Sequence, residues 1–175
     1  MTGRDDPRRE PEPPLGGELA HVAAYLDFYR DTLVAKVRSL PVAELRRARL
    51  PSGWSPLELL DHVAHVEQRW IVWGFLGEPV PDPWGDSSGD PARPWHVPPD
   101  RGLDQVVAFL DEQAARTHAV LTAHAPEDVA ATTGRFTGQS PPDLRWICFH
   151  LLQEYARHAG HLDVARELAD GATGE

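Results

Sequence analysis

The strongest constraint on this chain lies in its last third. From about Pro142 to Leu168 the sequence is compatible with one long helix, in which His150, Glu154, His158 and His161 fall at roughly 0°, 40°, 80° and 20° on a helical wheel. The same arc carries Ile147, Leu151 and Ala165, so ionisable groups occupy the stripe that should face a core. An unpaired buried charge is expensive, and these groups therefore need partners from another helix or from a metal ion.

The rest of the chain supplies helices to pack against. From about Gly17 a helical pattern places Leu19, Val22, Ala23, Leu26, Leu33, Val37 and Leu40 on one face until Pro41 stops it. Between Pro41 and Trp54 there is room for a short extra turn of helix. Ser55 and Pro56, with Glu58 three residues after Ser55, form a capping-box start for a second helix running to about Leu76. Its apolar face collects Leu59, Val63, Val66, Trp70 and Trp73; Glu58, Asp61, His65 and Gln68 turn towards the other side, and His62 sits at the edge. A third helix, Gly102 to about Ala123, has Leu103, Val106, Val107, Leu110, Ala114 and Leu121 as its stripe. Ser140-Pro141-Pro142 reads as the start of the fourth, which ends before Gly171.

The expected fold is an all-α four-helix bundle over residues 17–169, flanked by a proline-rich, disordered N-terminal tail (1–16) and a short C-terminal tail (170–175). The connection between helices two and three, Gly77 to Arg101, is long and rich in proline. It carries Trp84 and Trp95, which either cover the core or pack over a ligand. A net charge of −10, from 17 basic against 27 acidic residues, argues against a nucleic-acid partner. No uninterrupted apolar run of about 20 residues argues for a membrane span, and Cys148, the only cysteine, can form no internal disulfide, so a cytoplasmic location is expected.

Glu154 and His158, four residues apart on a helix, can converge on one ion, and His62 is the best-placed third ligand. Such a set would leave one coordination position open and would suit zinc first, with nickel, iron or manganese behind it. A buried glutamate–histidine network without metal satisfies the same spacing. His150 and His161 are placed to orient a ligand, shuttle protons or substitute as ligands. His21, His65, His96, His118 and His124 lack such company and are expected at the surface or in loops. Cys148 lies about 160° from His150 on the wheel, away from the cluster.

The segments Leu59 to Trp70 (LLDHVAHVEQRW) and Leu144 to Asp163 (LRWICFHLLQEYARHAGHLD) resemble the DinB/YfiT-like superfamily, and more narrowly its actinobacterial, mycothiol-transferase-like branch. The resemblance runs from about Gly17 to Leu168. It implies a four-helix bundle, often a homodimer, with a divalent metal held by one residue of helix two and two of helix four. Matched residue by residue, those positions are His62, Glu154 and His158. Three histidines are usual in such proteins; the glutamate here is similar to the zinc site of mycothiol-dependent maleylpyruvate isomerase. The resemblance further implies mycothiol as co-substrate and a small electrophile as acceptor; His161, one turn beyond His158, is the expected supporting residue at the site. The leading expectation is a metal-dependent S-transferase or isomerase; its competitors are a non-catalytic ligand- or protein-binding bundle and a metal-dependent hydrolase.

Overall fold

Four α-helices make up just over half of the described residues: α1 (Glu18–Arg38), α2 (Pro56–Glu67), α3 (Leu103–Ala123) and α4 (Leu144–Asp170). This computed structural model describes residues 9–81, 83 and 96–173; Trp84 and Trp95 lie outside the described residues. The all-α four-helix bundle expected from the periodicity is what the chain forms, and the stripes named from sequence supply its core. Leu26, Leu33, Val63, Val66, Leu110, Ile147 and Leu151 are all fully or almost fully buried.

Helix α2 begins as its sequence requires. Ser55 accepts the Glu58 amide, and the Glu58 carboxylate takes the Ser55 amide in return, with Pro56 at the first helical position. Beyond Glu67 the helix continues as π-helical turns over Gln68–Phe75, ending where the Leu76 amide donates to the Ile71 carbonyl. Wider turns of this kind are rare in globular proteins and concentrate at functional positions. Gly77 and Gly134 make room at its end, both with positive φ (66° and 62°). A Cβ on Gly134 would stand 2.2 Å from the Trp73 carbonyl oxygen, so only glycine lets this loop lie against the π-helical segment. Its neighbour Arg135 is thereby brought over the Trp70 ring, 4.4 Å from the centroid.

Two expectations need correction. Helix four does not start at Ser140-Pro141-Pro142: Asp143 is its N-cap, accepting the Trp146 amide at 2.8 Å, while the segment before it makes an isolated bridge between Val129 and Asp143. Neither do all the polar residues of α2 face away from the protein. Asp61 is buried and paired with Arg101 at 2.9 Å, and His65 is packed against Phe109 and the Asp61 carbonyl instead of standing on the surface. Arg46 adds bonds to the carbonyls of Val97, Pro98 and Arg101, which fasten the far end of the long connection to the turn after α1.

At the centre the helices meet on one carboxylate. Glu67 of α2 has no exposed surface and takes two bonds from Arg30 of α1, at 2.7 and 2.9 Å. The hydroxyls of Thr117 on α3 and Tyr155 on α4 donate to it as well. Burial works against the Arg30 charge, but Glu67, with help from Asp27, more than offsets it and holds the guanidinium protonated. Burial and the Glu67 charge push the Tyr155 hydroxyl upward, so it remains a donor. Replacing Arg30 with Met strands this carboxylate, and urea unfolding should show a loss of about 3–5 kcal/mol. A loss below about 1 kcal/mol would put the pair in the class of exposed ion pairs and refute its central role.

Candidate metal centre

His62 on α2 and Glu154 and His158 on α4 come together on the contact between those helices, each largely buried. Each offers one ligand atom, and the three atoms lie within 4.8 Å of one another. His158 Nε2 is 3.3 Å and His62 Nε2 3.9 Å from the same oxygen of Glu154. The two imidazoles meet edge to face, 4.8 Å between centroids. Sequence spacing could bring Glu154 and His158 to one face; the packing of α2 on α4 is what adds His62.

The protonation states follow from the surroundings. Burial, with the Arg69 charge acting in the same direction, lowers the His62 pKa to about 4 against the opposing pull of Glu154, so its ring is neutral at pH 7. Hydrogen-bonding contact with His158, and then with His62, holds the Glu154 carboxyl well below the usual carboxylate range despite burial. The site is therefore set to present a carboxylate and a neutral imidazole, the states in which these groups ligate metals.

The neighbouring histidines take different places. His150 stands with Nε2 4.0 Å from the other Glu154 oxygen, its ring stacked on Trp146 and packed on Trp70. Burial lowers its pKa, and the charges of Arg135, Arg69 and Arg157 act in the same direction. His161 is exposed; its Nδ1 lies 3.4 Å from Nδ1 of His158, the ring nitrogen opposite the one that meets Glu154, and its ring lies near Trp54. Cys148 is on the side of α4 that lines an apolar depression with Val22, Tyr25 and Leu152, and burial pushes its thiol up to about 12. His118 and His124 keep partly exposed side chains, as expected of surface residues, and pair with Asp27 at 2.8 Å and Asp128 at 2.9 Å.

Arg69 is the charged neighbour that the sequence reading passed over. It follows His62 by seven residues, about two helical turns, which was the available signal that the two share a side of the helix. Trp146 was missed for a different reason: it lies outside the apolar stripe and gains its role only from stacking on His150.

The chain matches the family described as mycothiol-S-transferase over residues 21–171. Among solved structures it is similar to one described as the conserved protein of a locus from Enterococcus faecalis, with a TM-score of 0.59 and 17% identity over 90% of this chain and 99% of that one. At that identity the likeness concerns the fold. No curated protein matches. No helix among the described residues is long and apolar enough to cross a membrane.

The lowered His62 pKa makes stability depend on pH in a definite direction. In the unfolded chain this histidine binds a proton near pH 6.5, and in the folded protein only near 4, so acid favours unfolding across that interval. Metal-stripped protein should lose on the order of 3 kcal/mol from this group as pH falls from 7 to 4. Urea unfolding of the wild type and of His62→Asn across this range checks it: the variant should show a shallower decline, and parallel curves would contradict the assignment.

Proposed function

Because the chain belongs to the mycothiol-S-transferase family, we propose that it is a metal-dependent S-transferase joining mycothiol to a small electrophile, with His62, Glu154 and His158 holding the metal. The observation that carries this reading is the convergence of three ligand atoms from two helices within 4.8 Å. The donor set suits the ion: imidazole nitrogens and one carboxylate oxygen favour zinc, then nickel, iron or manganese, and three protein ligands leave a fourth position for the thiol. When bound there, the ion would supply the positive charge that brings a thiol's pKa down towards neutrality.

The protein's own groups do the remaining work. His161 Nδ1, beside His158 Nδ1, fixes the ring so that Nε2 points at the site, as outer partners of ligating histidines do. His150, with its pKa lowered, can accept the thiol proton at Nε2 next to Glu154. The sulfur lone pair then forms the carbon–sulfur bond, and the leaving group departs with its bonding pair. Cys148 plays no part, since its raised pKa keeps the thiol protonated.

Metal analysis of protein purified without a polyhistidine tag, together with conjugation of mycothiol to 1-chloro-2,4-dinitrobenzene, tests the assignment. His62→Ala, Glu154→Ala and His158→Ala should each lose zinc and lower the conjugation rate by roughly 100-fold or more, and His161→Ala should weaken zinc binding by about 10–100-fold. Wild-type protein that holds less than about a tenth of an equivalent of zinc even after zinc is added would contradict the metal site. Turnover without any thiol would instead indicate hydrolysis.

A further inference from the structure

On a different side of the bundle from the three clustered ligands, α4 meets α1 in an apolar depression of about 250 Å³. Cys148, Phe149 and Leu152 lie about 120° or more from Glu154 on the α4 wheel and form one wall of it; Val22 and Tyr25 of α1 form the other. Cys148 is buried at its floor. Phe149 stands at its mouth, 64% exposed, a large share for an aromatic ring. An apolar cavity on the order of 150 Å³ stays dry and takes up benzene, so this one has room for a ring that carries a short chain.

The mouth is negative and accepts hydrogen bonds. Tyr25 turns its hydroxyl to the Glu10 carboxylate at 3.4 Å, which places that charge at the edge of the depression. His21 directs Nδ1 at the Gly17 carbonyl, 2.9 Å away, so this nitrogen is the donor and Nε2 of the neutral ring is left as an acceptor. Glu18, also at the rim, shares Arg145 with Glu127, so one guanidinium serves two carboxylates. The negative potential reaches the floor: burial first, and then the charges of Glu18 and Asp143, push the Cys148 thiol up. An apolar hollow under such a mouth selects an amphiphile whose charged end is a cation and a donor. A neutral apolar molecule would use the hollow alone, and an anion would be repelled.

We propose that this depression binds a small arylalkylammonium ion, with its ring beside Phe149 and Leu152 and its ammonium group at the mouth among Glu10, Glu18 and His21. The site stands apart from His62, Glu154 and His158 and does not depend on what they bind.

Amide NMR titration of the full-length protein with 2-phenylethylammonium, and with the neutral 2-phenylethanol for comparison, tests both the place and the preference. Each ligand should give saturable shifts centred on residues 18–25 and 148–152. The ammonium should bind about fivefold more tightly at low ionic strength, an advantage that shrinks in about 0.5 M salt. Replacing Glu10 and Glu18 together with Gln should abolish the advantage and leave the alcohol affinity unchanged, and Phe149→Ala should weaken both ligands. Equal affinities in the wild type overturn the proposal, and that comparison holds whether or not the variants fold. Absence of saturable shifts does the same, as do shifts centred on His62 and on Glu154 to His158. If the same amides shift when the protein alone is concentrated, a second copy of the chain is the occupant and the ammonium site is refuted.

Discussion

All four helices of this protein are tied to a single buried carboxylate. Glu67 receives Arg30 from α1, Thr117 from α3 and Tyr155 from α4, and it has no contact with solvent. Removing one member of such a network is costly, whereas replacing a whole network with apolar groups often is not. Sliding any helix by one turn, about 5.4 Å, would separate the charge from a partner it cannot do without. Apolar stripes alone tolerate such slides far better.

That fixed register is what the candidate site depends on. Tyr155 is the residue after Glu154, and Glu67 follows His62 by five residues, so the bond between Tyr155 and Glu67 sets how α4 meets α2 just where His62 approaches Glu154 and His158. A ligand set divided between two helices is only as precise as the contact between them. The π-helical segment acts on the other side of the site. It carries Arg69 and Trp70, and its close fit against Gly134 brings Arg135 in from a loop more than sixty residues further on.

Much of this was legible in the residues, though unevenly. The apolar periodicities and the Ser55-Pro56 capping box were enough for the helices, because burial and capping are local requirements that leave regular spacing. The approach of His62 to Glu154 and His158 was also within reach, since a carboxylate in a core stripe demands a partner. The same reasoning applied to Arg30, which lies between Leu26 and Leu33 in the α1 stripe, would have exposed the central ion pair. Glu67 was harder to find: it stands about 140° from His62 on an ideal wheel, at the far edge of the α2 face, and only the arrival of α1 buries it. The widening of α2 after Glu67 breaks the constant 100° step on which such wheels rest, and no residue pattern announced it. The Asp143 cap was masked by the more conspicuous serine and prolines before it.

The account turns on whether the ligands from α2 and α4 hold one ion together and leave it open to a thiol. X-ray absorption at the zinc edge, on protein loaded with one equivalent of zinc, measures this directly. The spectrum should show only nitrogen and oxygen neighbours at about 2.0–2.2 Å, with the outer-shell scattering of two imidazoles, and mycothiol should add one sulfur at about 2.3 Å. Scattering from fewer than two imidazoles, or a first shell that mycothiol leaves unchanged, would contradict it.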